Sequence, residues 1–255
     1  MTQDRTILSV TGSDRTPFLQ GLITNDVEKA MGGIVYAALM TPQGKFIADF
    51  FVIGRDEDIL IDVATSHAPQ LAQRLNMYRL RADVQINEIA LMASSGTKTA
   101  PEGAFADPRH PDLGWRHYGE ADISDSTDWT ALRVTHAIPE TGIELTADSY
   151  ILETGLERLN GIDFRKGCYV GQEIVARMKH KTELKKGLAQ VRITGTATTG
   201  EDITSNGKPV GKLHSVHGDM GLAYLRFDRA NDMQTVNATL ALVPAASASS
   251  GQNNS

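Results

Sequence analysis

The sequence predicts an α+β protein with antiparallel sheets. Apolar segments of strand length follow one another with turn signals between them, and short helical patterns interrupt them without a regular βαβ alternation. The motifs of a doubly wound parallel sheet are missing, since no Gly-x-Gly-x-x-Gly follows a strand and the sequence has no phosphate-binding Gly-Lys-Ser/Thr loop. These observations together favour sheets built from hairpins.

The N-terminal part of the chain gives the clearest elements. Two helices are predicted, the first capped by Ser13 or Asp14 and the second by Ser66. Thr41-Pro42-Gln43-Gly44 indicates a hairpin, because proline followed by glycine in a four-residue connection is typical of such turns. Apolar patterning predicts five strands, at residues 6–11, 34–40, 45–53, 59–63 and 84–92.

The rest of the chain is less regular. Residues 94–120 are rich in serine, glycine and proline and predict a long connection or a domain junction. A strand is predicted at 129–135, and short helices at 151–159 and 174–180. Short apolar segments separated by glycines predict a small C-terminal β-barrel, with strands at 187–194, 209–214 and 221–227.

Composition limits the possible functions. The chain has 255 residues, and its formal net charge of −6 gives no support to a protein that coats nucleic acid. No apolar run approaches the length of a membrane span, and the N-terminus resembles neither a secretory signal nor an arginine-rich transit peptide. A single cysteine suits a reducing compartment. We therefore expect a soluble cytoplasmic monomer that contacts neither nucleic acid nor membrane.

The single cysteine, Cys168, is the most informative residue. It cannot form an internal disulfide or a self-contained cysteine metal site, so any task it has is reactivity or ligation shared with another molecule. The segment 165–186 holds seven basic and two acidic residues, a net charge of +5 that leaves −11 for the rest of the chain. Neighbouring Lys166 and a helix start nearby favour the thiolate. A small buried cysteine beside a solvated basic face explains the same residues without a function.

The residues around Cys168 carry a resemblance to a known family. Lys166-Gly167-Cys168-Tyr169-Val170-Gly171-Gln172-Glu173, followed by Ala176-Arg177, resembles the signature of the YgfZ family. These are folate-binding proteins related to the T-protein (aminomethyltransferase) of the glycine cleavage system, and some serve iron–sulfur cluster assembly. Phe18-Leu19-Gln20-Gly21, the turn at Thr41-Pro42-Gln43-Gly44-Lys45 and the C-terminal glycines also resemble the family.

The resemblance implies a ring of α/β subdomains around a central folate cleft, with a small C-terminal β-barrel. It divides the chain into an N-terminal folate-binding subdomain (1–95), a middle subdomain with the Cys168 motif (96–185) and the barrel (186–244). Residues 245–255 lack apolar anchors and are predicted to be a disordered tail. The implied cofactor is tetrahydrofolate or a folate derivative, with a transient shared iron–sulfur cluster as a second possibility. The implied partners are iron–sulfur carrier or client proteins, tRNA-thiomethylating enzymes among them.

The same resemblance assigns the candidate site residues. Cys168 is the catalytic residue and the ligand of a shared cluster, and Trp129 is the folate contact. Arg5 or Thr6 stands where some members have a second tryptophan, and Asp49 is interpreted as a strand or surface residue near the position of the T-protein's catalytic acid. Arg109 is a candidate for an interdomain salt bridge. The residues that support Cys168 are Lys166, Gly167, Tyr169, Gly171, Gln172, Glu173 and Arg177.

Three functions stay open at this point. The first is assembly, insertion or repair of iron–sulfur clusters through folate and Cys168. The second is a folate-dependent aminomethyltransferase of the T-protein type. The third is a non-enzymatic scaffold whose basic segment docks an acidic partner. The sequence does not decide whether the protein is an enzyme.

Overall fold

The computed structural model describes residues 4–180 and 183–244 and confirms the predicted α+β class. The first sheet consists of five antiparallel strands: β1 (Arg5–Thr11), β2 (Ile34–Met40), β3 (Phe46–Gly54), β4 (Ile59–Ala64) and β5 (Gln85–Ile89). They lie in the order β2-β3-β4-β1-β5. All five are among the predicted strands, and the turn at Thr41-Pro42-Gln43-Gly44 joins β2 to β3 as a hairpin.

This sheet is buried on both faces, since every residue of β3 is buried. One face packs against α1 (Arg15–Gln20) and α2 (Ala68–Arg79), through Leu19, Leu71 and Leu75. The opposite face packs against apolar side chains of the middle region, between residues 113 and 178. Because successive side chains of a strand point to opposite faces, the second face of β2 and β3 meets the part of the chain that carries the cysteine motif.

The predicted helix caps differ in detail from the structure. Asp14 precedes α1, but its carboxylate accepts a hydrogen bond from the backbone N of Asp83 instead of capping the helix. The residue that precedes α2 is His67, not Ser66. Both helices are therefore held by packing against the sheet rather than by side-chain caps.

A second sheet corrects the prediction for residues 94–120. Three short antiparallel strands, β6 (Met92–Gly96), β7 (Phe105–Ala106) and β8 (Trp115–Gly119), lie in the order β6-β8-β7. The strand β6 reads Met-Ala-Ser-Ser-Gly, so its composition is typical of a loop although it pairs along its length with β8. Tertiary pairing here overrides local propensity.

The helices of the middle region also differ from prediction. Residues 129–135 form no strand: α3 (Trp129–His136) is a helix, begun by the Asp128 carboxylate, which accepts a hydrogen bond from Ala131 N. The predicted helix at 151–159 is a run of turns, in which Gly155 has a φ of +82°. The predicted helix at 174–180 is confirmed as α4 (Gln172–Lys179).

The C-terminal unit is a closed six-stranded barrel, which confirms that prediction. Its order is β10-β11-β12-β9-β14-β13, and it has its own apolar core. The barrel contacts the turns at 151–160 through a hydrogen bond of 2.7 Å from Leu188 N to Glu153 O. Its strands are β9 (Lys186–Gly195), β10 (Asp202–Ser205), β11 (Lys208–His217), β12 (Met220–Arg226), β13 (Met233–Gln234) and β14 (Ala238–Leu242).

The two remaining predictions concern membrane spans and the C-terminal tail. Among the described residues, no helix is long and apolar enough to cross a membrane. The predicted disorder of residues 245–255 lies outside the described residues.

Candidate functional site

Cys168 lies on the surface, in a loop that precedes α4. We call residues 163–171 the cysteine loop. The Cys168 thiol is exposed, and so is neighbouring Gly167, where a Cβ atom would meet no atom within 4 Å. The alternative of a small buried cysteine is therefore wrong. The exposed thiol and the open backbone beside it leave room for a second molecule to approach.

The base of the cysteine loop is fixed by Lys166, which is only 8% exposed. Its ammonium donates hydrogen bonds to the carbonyl oxygens of Ile23, at 2.7 Å, and Asn25, at 2.8 Å. Burial lowers the pKa of Lys166 to about 8, against the opposing effect of the carboxylates of Asp26 and Asp163. Lys166 thus anchors the loop to the turn that follows α1.

The other end of the cysteine loop packs against the β2–β3 hairpin. Gly171 has a φ of +83°, and a Cβ atom there would lie 2.8 Å from Thr41 O. A Cβ atom on Gly44 would lie 2.7 Å from the Cβ of Ile174 in α4. Tyr169, 7% exposed, packs into the core shared with the first sheet. Glycine at 171 and 44 therefore serves close packing of the hairpin on the loop.

The remaining motif residues lie on the first two turns of α4. The amide oxygen of Gln172 accepts a hydrogen bond from Tyr169 N at 3.4 Å. The side chains of Glu173 and Arg177 are exposed. The motif thus divides into buried residues that hold the loop and residues whose side chains are exposed.

A cleft of about 320 Å³ lies at the meeting point of the two sheets and α3. The first sheet contributes Asp49 and Phe51, β8 contributes Arg116, and α3 contributes Trp129 and Arg133. Trp129 is partly exposed in this wall. A concave site of this size with a few convergent polar groups is typical of a small-molecule site.

Two arginines that line the cleft, Arg5 and Arg116, belong to a network of buried charges. The Asp62 carboxylate, fully buried, accepts hydrogen bonds of 2.6 Å from both Arg5 and Arg116 and one of 2.9 Å from the Tyr118 hydroxyl. Burial raises the pKa of Asp62, but the two guanidinium groups outweigh it and lower the pKa to about 2. Asp62 is therefore ionised, and the network fixes the positions of both arginines.

The predicted interdomain salt bridge of Arg109 is a local one. Its guanidinium pairs with Asp107, two residues away, at 2.8 Å. The same group lies 4.8 Å from the centroid of the Phe51 ring, and Arg116 lies 3.9 Å from that ring. Since guanidinium groups already stack on Phe51, Trp129 is the aromatic side chain of this wall that is better placed to stack on a ligand.

Asp49 is a buried residue of β3 that lines the cleft, so of the two interpretations, strand or surface residue, the strand is confirmed and the surface position is wrong. One carboxylate oxygen accepts a hydrogen bond of 2.8 Å from the Tyr36 hydroxyl, and the other accepts one from Thr141. Desolvation and the nearby Asp49 carboxylate raise the pKa of Tyr36 well above its ordinary value, so its hydroxyl keeps its proton and donates. Asp49 is thus held in a fixed orientation.

Cys168 and the cleft are two separate sites. Among the described residues, those that line the cleft include Trp129 but no residue of the cysteine loop. The sequence reasoning singled out residues at both sites, but it missed Arg116, Asp62 and Asp107. These lie on β8, on β4 and before a turn, and no local motif connects them, although charges inside apolar strands are a usable signal.

Comparison with known proteins identifies relatives of this chain. Residues 185–248 match the family model described as CAF17, C-terminal beta-barrel domain. The iron–sulfur cluster assembly factor IBA57 of Homo sapiens, named as mitochondrial, is 31% identical over 87% of this chain and 75% of its own length. The IBA57 homolog of Mycosarcoma maydis, also named as mitochondrial, is 28% identical over 88% of this chain and 72% of its own length.

The chain belongs to the IBA57 family of iron–sulfur cluster assembly factors. The resemblance to iron–sulfur assembly proteins is thereby confirmed at the level of the family, while the narrower YgfZ name stays a prediction. The cytoplasmic location predicted from composition is wrong, because these IBA57 relatives are named as mitochondrial proteins. A single cysteine indicates a reducing compartment but does not say which one.

The fold of this IBA57-family chain is that of the T-protein, as the resemblance implied. The glycine cleavage system aminomethyltransferase T from Bartonella henselae matches it with a TM-score of 0.74. The match covers 94% of this chain and 83% of the other, at 11% sequence identity. At that identity the comparison shows the fold and leaves the chemistry of the cleft to the residues themselves.

Proposed function

We propose that this protein takes part in iron–sulfur cluster assembly, and that Cys168 is the residue that contacts the cluster or the protein that carries it. The observation that carries this proposal is the exposed thiol on a loop anchored at both ends, in a chain of the IBA57 family. A thiolate is the usual protein ligand of iron in such clusters. On binding, the thiol loses its proton to solvent and its sulfur ligates iron.

The number of thiols requires that the cluster be shared. A cluster takes about four thiolate ligands, whereas this chain has one cysteine. The other ligands must therefore come from a carrier protein, a client protein or a small thiol. The open space at Gly167 and the exposed side chains of Glu173 and Arg177 give such a partner access to the cysteine loop.

The charge around the loop favours an acidic partner. The segment 165–186 carries a net +5, and exposed Arg165 and Arg177 lie on either side of Cys168. Two of the nearby lysines already have partners on this chain, since Lys29 pairs with Asp163 and Lys179 with Glu157. The field of the remaining cations steers an acidic surface towards Cys168, so association should weaken as salt rises.

We further propose that the cleft binds tetrahydrofolate or a related folate. The planar pyrimidine half of the pterin can stack on Trp129, while Asp49 and the cleft arginines supply acceptors and donors. Binding in the cleft would be separate from the cysteine loop, so folate would act on the shape of the chain and not as a cluster ligand. We include enzymes that thiomethylate tRNA among the proposed clients of this protein.

The test is maturation of iron–sulfur enzymes in cells that lack the native protein. Cys168→Ser removes the soft ligand and should abolish maturation, while the purified variant keeps its thermal unfolding temperature because the side chain is exposed. Cys168→Ser combined with Thr199→Cys, which moves the only thiol to an exposed site in the barrel, should not restore it. Full function in either variant would overturn the role of Cys168.

An aminomethyltransferase is the second candidate, favoured by the T-protein fold and by the buried Asp49 carboxylate in the cleft. It predicts transfer of a one-carbon unit to tetrahydrofolate by the purified protein and loss of that activity in Asp49→Asn. Function retained in Cys168→Ala, with partner binding that collapses in salt, would instead indicate a scaffold.

A further inference from the structure

Three side chains that belong to neither site lie together on the surface beside the cleft. His110 precedes the 3₁₀ turn Pro111–Leu113, Asp112 lies within that turn, and His136 is the last residue of α3. One possible ligand atom from each of the three lies within 4.8 Å of the other two. The two histidines are 26 positions apart in the sequence, so no local spacing identifies them.

We propose that His110, Asp112 and His136 bind a divalent transition-metal ion of the zinc class. Two imidazoles and one carboxylate are a ligand set that such ions use when a further position stays open to water. In a tetrahedral site with bonds of about 2.0–2.1 Å, neighbouring ligand atoms lie roughly 3.4 Å apart. Asp112 Oδ2 lies 3.2 Å from His136 Nε2 and 3.9 Å from His110 Nδ1, so two of the three distances between ligand atoms are already close to that spacing.

Binding requires one ring to rotate. The two imidazole rings stack with centroids 4.1 Å apart, and stacked rings direct their nitrogen lone pairs side by side instead of at one point. His110 Nδ1 accepts a hydrogen bond of 3.2 Å from Asp112 N, which is long enough to be exchanged for a metal bond. The Asp112 side chain is 62% exposed and free to follow the ion.

The position of the site gives the ion a structural consequence. Leu113, in the turn, and Trp129 and Arg133, in α3, line the cleft. An ion held between this turn and the end of α3 would fix two walls of the cleft to each other. The same end of α3 is already held by Arg158, whose guanidinium donates to the carbonyl oxygens of His136 and Ala137.

The proposal is tested by titrating Co²⁺ into the full chain that carries Cys168→Ser, so that the thiol cannot contribute. We expect one equivalent to bind with the visible absorption of a tetrahedral nitrogen and oxygen site. His110→Gln and His136→Gln should each weaken binding by about tenfold or more. His180→Gln, an exposed histidine elsewhere, should bind as the parent does.

Zn²⁺ supplies a second readout, because an ion that binds the folded chain raises its unfolding temperature. The rise should occur in the Cys168→Ser parent and be lost in His136→Gln. If His136→Gln does not fold, Asp112→Asn replaces it, since that side chain is exposed and its loss should weaken Co²⁺ binding without unfolding the chain. Absence of saturable Co²⁺ binding, or binding that is equal in the parent, the His110→Gln variant and the Asp112→Asn variant, overturns the proposal.

Discussion

The ammonium of Lys166 donates a hydrogen bond of 2.7 Å to the carbonyl oxygen of Ile23, 143 residues away in the sequence. Both residues are buried. A lysine two residues from the single cysteine suggests at first that its charge activates the thiol, but here the charge is directed at two backbone carbonyls. The basic residue closest to Cys168 therefore positions the cysteine loop.

Replacing this lysine should loosen the loop. Lys166→Met keeps most of the apolar stem but leaves Ile23 O and Asn25 O without their donor, at a cost of about 1–3 kcal/mol for each buried group left unpaired. We expect a lower free energy of unfolding and faster backbone hydrogen exchange in residues 163–171. Lys29→Met, which removes an exposed partner of Asp163, is the control and should change stability much less. Equal exchange in both variants would contradict the anchoring role.

The pH dependence of stability tests the same residue. Burial lowers the pKa of Lys166 from 10.5 to about 8 in the folded chain. Between about pH 8 and pH 10.5 the unfolded chain therefore binds more protons than the folded chain, so this group's contribution to the free energy of unfolding rises with pH. The neutral amine still has two N–H groups for its two carbonyl partners. The stability difference between wild type and Lys166→Met, measured by urea unfolding, should grow across this range; a flat difference would argue against a lowered pKa.

Replacing two glycines of the motif by alanine should change the stability of the protein to different extents. Gly171→Ala places a Cβ atom 2.8 Å from Thr41 O at a φ of +83°, so the free energy of unfolding should fall by at least about 1–2 kcal/mol. Gly167→Ala meets no atom within 4 Å and should change stability by no more than about 0.5–1 kcal/mol. Chemical denaturation of the two variants checks this. Equal losses would mean that the loop is not packed against the hairpin.

The contrast between these glycines shows where sequence reasoning succeeds. The hairpin at Thr41-Pro42-Gln43-Gly44 was predictable because its signal is local, and the barrel was predictable because glycines separate its short apolar segments. The same reasoning could not tell that Gly171 is required for packing whereas a Cβ atom at Gly167 would meet no other atom, since that depends on which part of the chain lies opposite.

The incorrect predictions have a similar cause, because they concern contacts between distant parts of the chain. Residues 129–135 contain tryptophan, threonine and valine, which favour strands, yet capping by Asp128 and packing make them helical. The cleft brings together Arg5, Arg109 and Arg116 from three separate segments, and only the tertiary fold creates that juxtaposition. Cys168 could be identified from the sequence because it is the only cysteine and because it lies in a recognisable motif.

Acid should destabilise the protein through Asp62. The pKa of its carboxyl is about 2 in the folded chain against an ordinary value of 3.8, so its stabilising contribution is complete above about pH 4 and is lost as pH falls towards 2. Asp62→Asn removes the counter-charge that Arg5 and Arg116 share and leaves buried Arg116 with only Asp107, at 3.7 Å, so it should lower the free energy of unfolding by about 3–5 kcal/mol. Asp202→Asn, which alters an exposed barrel residue, is the matched control. The measurement is the thermal unfolding temperature from pH 5 to pH 2. If this temperature fell with pH as much in Asp62→Asn as in wild type, the argument would be wrong.

Trp129 provides the sharpest test of the cleft, because the chain has two tryptophans in different settings. Trp115 is 5% exposed and donates its indole N–H to Lys98 O, whereas Trp129 lies partly exposed in the cleft wall. A folate that stacks on Trp129 should quench its fluorescence, and Trp129→Leu should remove that quenching and weaken binding by roughly two- to tenfold, the equivalent of about 0.5–1.5 kcal/mol. Phe164→Leu, which alters an exposed aromatic within the cysteine loop and outside the cleft, should leave the affinity unchanged. Calorimetric titration with tetrahydrofolate gives the affinities independently of fluorescence, and equal dissociation constants for wild type and Trp129→Leu would place any folate away from this wall.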